Sequence, residues 1–343
     1  PQGRQTSVVS SLTRVLVAPE NPAAVVAQMA DSGVRVVSLT VTEKGYCHVP
    51  STGRLQSDLP EIIHDLAHLD APRTVPGLLV AALAKRRAAG HRPFTVLSCD
   101  NLPENGKTAR AVVLDFARLC DPELADWITS ETRFPSTMVD RITPATTPED
   151  IDLLAQQTGY YDAAAVQHEP FLQWVIEDNF VDGARPDWSV AGAQFAQDVT
   201  AHEMMKLRCL NGTHSALAYL GYLAGYWTIA DAVADADFAA FCEHLWQQEI
   251  LPTVPPPEGE DLAAYTSELM TRYRNPAIRH RTWQIAMDGS QKLPQRVLGT
   301  VLDRLAQGAL PEGLCMVVAA WMRYVTGVDA VSYTHLRAHE TAL

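Results

Sequence analysis

Lys206, Asn211 and His214 fall within one stretch, 203–225, whose pattern reads as helix, and together they offer a base, an amide donor and an imidazole. Counted from Glu203 at about 100° per residue, His214 lies at about 20°, Asn211 at about 80° and Lys206 at about −60°, so the four polar groups share one side. Apolar neighbours surround them: Met204, Met205, Leu207, Leu210, Leu217 and Leu220. Polar groups held in apolar surroundings need mutual pairing or a ligand. A solvated helix face fits the same spacing, because charged residues are mostly exposed. If the set is buried, its parts suit proton transfer at a substrate oxygen, with a base to move the proton and donors to steady the developing charge.

The elements that must position this set come in two styles. The first part of the chain alternates: an apolar, strand-like run at 12–18, a helix after Pro22, a strand at 34–41, a helix at 75–89, a strand at 94–98 and an amphipathic helix to Cys120 opening at Gly106. That rhythm implies a parallel sheet covered by helices. The stretch 143–151, rich in Pro and Thr with an acidic pair after Pro148, reads as a connection ending at a helix N-terminus. Beyond about residue 166 the periodicity is mostly helical, and the prolines of 252–257 should end the helix before them. The fold class expected is therefore α/β plus all-α, with a sheet domain over 1–165 and a mostly α-helical domain over 166–330.

Composition narrows the function classes. The chain has 343 residues, 47% hydrophobic and 20% charged, long enough for two domains with sizeable cores. Its net charge of −13 argues against a nucleic-acid partner. The six cysteines, Cys47, Cys99, Cys120, Cys209, Cys242 and Cys315, are scattered without paired spacing, so neither a disulfide framework nor a metal is indicated and a reducing cytoplasm is the natural setting. The apolar run 216–230 is short, broken by glycine and followed by acidic residues, which makes it a core helix and no membrane span. No signal peptide is visible in the first residues. The tripeptide Asn211-Gly212-Thr213 has the form of a glycosylation sequon, but it lies inside the proposed catalytic helix and is discounted.

The wording KLRCLNGTHSALAYLGYLAG resembles the polyol-specific long-chain dehydrogenases, the mannitol dehydrogenase family. Four further stretches agree and keep the family's order: VSLTVTEKGY from 37, SCDNLPENG from 98, FPSTMVDRITPAT from 134 and TRYRNPAIRHRTWQIAMDGSQKLPQR from 271. The resemblance implies a partial Rossmann-like domain followed by a helical substrate domain, with NAD as cofactor and a sugar acid or polyol as substrate. It implies Lys206 as general base and the amides of Asn101 and Asn211 as the pair around the reacting oxygen. An Asx turn in the N-L-P loop is the other reading of Asn101. His214 would orient a substrate hydroxyl, where a lone core histidine would simply be packed. Glu203 would relay the proton to water, or form an ion pair with Lys206 one turn on. Asp140 and Lys292 match positions that line the substrate pocket, or else make structural salt bridges. Thr42, Glu43 and Lys44 would face the cofactor, with a solvated surface as the other reading for Lys44. Gln284 stands where some polyol-oxidising relatives have arginine, and the surrounding wording is nearer the uronate-reducing (fructuronate reductase) branch. D-fructuronate to D-mannonate is the expected conversion, with mannitol to fructose next and tagaturonate or arabinitol chemistry after that.

Both ends depart from the pattern. A dinucleotide site normally opens with a strand, a Gly-rich turn and a helix N-terminus, yet the first glycines here are Gly3 and Gly33. The sequence is therefore expected to begin partway into the nucleotide domain, and a catalytically silent fragment is the alternative from another class. Residues 331–343 break with the family wording and read as a non-native tail, so His335, His339 and Glu340 are given no role.

Overall fold

The computed structural model describes residues 5–327, and the tail expected at 331–343 lies outside the described residues. The chain divides into two compact units. The first runs up to Thr137 and again over Ile176–Gln197; the second takes Met138–Val175 and the chain from Asp198 onward. Where a single passage was expected near 165, the chain crosses between units three times.

In the first unit, β1 (Val36–Leu39), the short antiparallel pair β2 (His48–Val49) and β3 (Arg54–Leu55), and β4 (Thr95–Ser98) follow in order. β1 and β4 pair in parallel, from Val36 opposite Thr95 to Leu39 opposite Ser98. Parallel neighbours need a crossover, and helix Val75–Ala88 lies between them in sequence. Its ends are well specified: the Thr74 side chain accepts from the Gly77 N–H, Pro76 sits in the first turn, and Lys85, Arg86 and Arg87 close the last. All four residues of β4 are buried, as a strand covered on both faces should be. Leu79, Val80 and Leu83 of the crossover helix, Phe94 and Val96 at β4, and Val112, Val113 and Phe116 of helix Asn105–Cys120 form one core. This is the Rossmann-like arrangement expected.

One expected strand is absent. The run 12–18 forms no strand, and Leu12, Val15, Leu16 and Val17 are exposed. Apolar alternation permits a strand, but a strand exists only where a neighbour supplies ladder hydrogen bonds, and no described strand pairs with this run.

β5 (Thr137–Asp140), β6 (Gln173–Glu177) and β7 (Gln194–Ala196) form a three-stranded sheet in that order, and the unit boundaries fall inside β5 and β6. Helix Pro148–Thr158 begins where the Pro/Thr-rich connection was expected to end, behind a capping box between Thr147 and Asp150. The rest of the second unit is helical. Its core gathers Met205, Leu217, Trp246, Leu269, Tyr273, Leu314 and Val317. The helix before the prolines reaches Ile250 and tightens into a short 3₁₀ turn, Leu251–Thr253. Among the described residues no helix is long and apolar enough to cross a membrane.

Candidate functional site

The helix expected over 203–225 is three pieces in register: α-helix Thr200–Met205, π-helix Lys206–Gly212 and α-helix Thr213–Leu223. A π-turn closes i to i+5 bonds and is wider than 3.6 residues per turn. The 100° spacing used to place Lys206, Asn211 and His214 on one side therefore does not hold between Lys206 and Gly212. Side chains take up the carbonyls of the widened segment. Trp246 Nε1 donates to the Cys209 carbonyl at 2.9 Å, Tyr273 Oη to that of Leu210 at 2.9 Å and Ser215 Oγ to that of Asn211 at 3.0 Å. Gly212 lets a neighbouring helix come close. A Cβ there would stand 2.8 Å from the Arg296 carbonyl oxygen, so only glycine lets this turn meet the π-helix Pro294–Leu298.

Lys206 lies at the start of the π-helix, buried, with its ammonium donating to the Val139 carbonyl. Burial lowers its pKa to about 8; the charges of Arg296 and Arg272 act in the same direction, while Asp140 and Glu203 oppose it. Asn211 and His214 are also buried, at 7% and 6% exposure. Neither Asn211 Nδ2 nor His214 Nε2 has a hydrogen-bond partner. The His214 ring packs against Tyr273, 5.2 Å between centroids, and edge-on to His280, at 4.8 Å. Burial drives the His214 pKa well below its ordinary value, assisted by His280, Arg296 and Arg272. It is neutral at physiological pH, so its orphan nitrogen donates or accepts according to tautomer.

Asp140 is fully buried beside this set. Arg272 Nη1 and Nη2 donate to its two oxygens at 2.9 and 2.7 Å, and Tyr265 Oη donates at 2.9 Å. Arg272 also reaches Glu169, from Nε at 2.9 Å and Nη2 at 2.7 Å, with its guanidinium 4.0 Å from the Phe171 ring centre. Burial alone would lower the Arg272 pKa, but its bonds to Asp140 and Glu169 carry it upward. A carboxylate offers about four lone-pair sites, so Asp140 Oδ1, which accepts one of these bonds, keeps capacity for another. Glu203 is half-buried one turn before Lys206. Lys292 donates to the Met287 carbonyl at 2.6 Å and lies 4.0 Å from Asp288. The second unit thus brings together Lys206, Asp140 and Glu203 by charge, and Asn211 and His214 by the same turn.

Asn101, Thr42, Glu43 and Lys44 belong to the first unit. Thr42–Gly45 is one helical turn at the carboxyl end of β1, and Asn101 is exposed in the loop after β4. The residue that organises these loops is Asp100. It accepts from the Val41 and Thr42 N–H groups at 3.0 and 2.9 Å and from Tyr46 Oη at 2.7 Å. Thr42 has φ of 62°, left-handed for a β-branched residue, and the Asp100 bond holds it there. Asn105 bonds the Asp100 and Thr137 carbonyls and the Thr137 N–H, each at 2.9 Å. Gly106 is needed beside it, because a Cβ would collide with the Phe134 and Pro135 carbonyls.

Sequence reasoning missed Arg272, Glu169, Tyr265 and His280 in the second unit, and Asp100, Tyr46 and Asn105 in the first. The dense wording of 271–296 was a signal for Arg272 and His280; nothing local marked Glu169. Among the described residues no group of three or more His, Cys, Asp or Glu side chains is placed to hold a metal ion.

Comparison with known proteins bears on this arrangement. The family model of the mannitol dehydrogenase Rossmann domain matches residues 1–190, and that of the mannitol dehydrogenase C-terminal domain matches residues 198–337. D-mannonate oxidoreductase of Escherichia coli is 54% identical over 301 residues, 88% of this chain and 62% of that protein. Mannitol dehydrogenase 2 of Saccharomyces cerevisiae is 43% identical over 94% of this chain and 64% of its own length. The chain therefore spans a little under two thirds of the curated relatives it matches. The structure of Pseudomonas fluorescens mannitol 2-dehydrogenase in ternary complex with NAD and D-mannitol superposes with a TM-score of 0.88 at 42% identity, covering 95% of this chain and 66% of that one. Substrate-free D-sorbitol dehydrogenase gives 0.85 at 35% identity, covering 95% and 67%.

Proposed function

The chain belongs to the mannitol dehydrogenase family, and from that premise we propose that it is an NAD-dependent oxidoreductase interconverting a keto sugar acid and its secondary alcohol, D-fructuronate and D-mannonate. The observation that carries this reading is Lys206: a buried lysine with its pKa lowered to about 8, on the same run of helix as an amide and an imidazole whose buried nitrogens lack partners. A general base works best when its pKa lies near the operating pH.

In the oxidative direction Lys206 takes the hydroxyl proton of the reacting carbon. Asn211 Nδ2 donates to the oxygen as negative charge grows there. His214 Nε2 holds a neighbouring hydroxyl, Asp140 Oδ1 accepts from another, and Glu203 passes the proton outward from Lys206. Lys292 supplies positive charge for the substrate's carboxylate. NAD, when bound, supplies the hydride acceptor; Thr42, Glu43 and Lys44 stand at the carboxyl end of β1, where open α/β sheets take their ligands. The sugar-acid choice is favoured by the 54% identity to D-mannonate oxidoreductase. A second reading, mannitol to fructose, is favoured by the 0.88 superposition on a mannitol 2-dehydrogenase.

The test is turnover of D-mannonate and D-mannitol with NAD and NADP, and of tagaturonate with NADH and NADPH, on the chain expressed with whatever its reading frame carries upstream. Lys206→Ala should slow turnover by about 10³ or more with cofactor affinity unchanged, since the base acts on the substrate oxygen. Retained turnover would remove Lys206 from the mechanism.

A further inference from the structure

We propose that His280 is a second imidazole of the sugar site, contacting a substrate hydroxyl next to the one that His214 takes. The inference rests on the functional reading above.

Three buried polar atoms of the second unit lack hydrogen-bond partners around one aromatic cluster: Asn211 Nδ2, His214 Nε2 and His280 Nδ1. Leaving such a group unsatisfied costs stability, and native proteins keep few of them. The two imidazoles meet edge to face, with centroids 4.8 Å apart and planes at 85°, and no hydrogen bond joins them. One orphan nitrogen is a packing accident. Two on touching rings, with an orphan amide on the adjoining turn, describe a surface that expects a polyhydroxylated ligand.

His280 is also held as a binding residue must be. Its carbonyl accepts from the Ile229 N–H at 3.1 Å and its N–H donates to the Ile278 carbonyl at 2.9 Å. The next residue, Arg281, bridges Thr228 in antiparallel fashion, and the Thr282 N–H donates to the Trp227 carbonyl at 3.1 Å. Burial and the Lys292 charge lower the His280 pKa to about 4. The ring is therefore neutral, and it offers a hydroxyl either a donor or an acceptor without bringing a second positive charge beside Lys292. A hydroxyl both donates and accepts, so adjacent hydroxyls on one carbon chain match adjacent neutral imidazoles.

The test uses the 343-residue chain labelled with ¹⁵N-histidine. Imidazole resonances, assigned through His214→Phe and His280→Phe, are followed while D-mannonate and D-mannitol are added. His214 and His280 are expected to shift with the same concentration dependence, and His280→Phe, which keeps the ring and loses the nitrogens, should weaken binding about ten-fold. A shift at His214 alone, with His280→Phe binding as well as wild type, overturns the inference and leaves the functional reading standing. No shift at either ring overturns the functional reading, and the inference with it.

Discussion

Two polar clusters of the helical unit differ in one respect. Asp140, Arg272, Glu169 and Tyr265 are joined by charge-assisted hydrogen bonds of 2.7 to 2.9 Å. Asn211 and His214 are as enclosed and His280 is partly so, yet each keeps a buried nitrogen with no partner. The clusters adjoin: Tyr273, next in sequence to Arg272, packs on the His214 ring. A buried network that satisfies itself is scaffold, because nothing is left over for a ligand except where one lone pair remains, as on Asp140. A buried set that does not satisfy itself costs stability until something binds. The difference separates residues that hold the site from residues that use it.

Substitutions should divide the same way, and the largest effect belongs to the scaffold. Arg272→Met leaves two buried carboxylates without their cation and should lower unfolding stability by about 3–5 kcal/mol, read by urea denaturation. A loss under about 1 kcal/mol would mean that the network is solvated and carries little. Asn211→Ala should do the opposite: turnover falls by about 10²–10³ as an oxygen-stabilising donor is lost, while stability holds or rises. Lower stability with turnover intact would return Asn211 to the scaffold. Tyr265→Phe removes a single donor from Asp140 and should cost about 1.5–3 kcal/mol of stability, the range for a hydrogen bond to a charged group. If it instead raised KM for the sugar acid with stability unchanged, Tyr265 would belong with the ligand-facing set.

Much of this was legible in the chain, for reasons specific to each part. Helix Val75–Ala88 and β4 have local signatures, a Thr-x-Pro start and an apolar β-branched run, and both formed within a residue or two of expectation. The run 12–18 has a similar local signature and no strand, because pairing depends on a neighbour that periodicity cannot supply. Lys206, Asn211 and His214 stood out through their wording, but the angular argument for them failed at the π-helix, which is stabilised by Trp246 and Tyr273 from distant segments. Arg272 reads as one more surface arginine in TRYRNP. Its partners lie 103 and 132 positions away in sequence, so only the fold makes it a buried clamp. Asp100 was passed over for Asn101 beside it, since its work is done on backbone N–H groups that sequence does not display.

The central claim is that Lys206 is poised to lose its proton near neutral pH. Burial lowers its pKa from 10.5 to about 8, so between those values the unfolded chain binds more protons than the folded one. Stability contributed through this group therefore rises with pH across that window, and below it the buried ammonium costs on the order of 3 kcal/mol. The direct measurement is the titration of the Lys206 side chain in the folded protein, followed by NMR of its Cε and Nζ and assigned with Lys206→Met. A midpoint at about 8 is the result this account predicts. A midpoint at the ordinary 10.5 would contradict it, leaving Lys206 a charged structural residue and the site without its base.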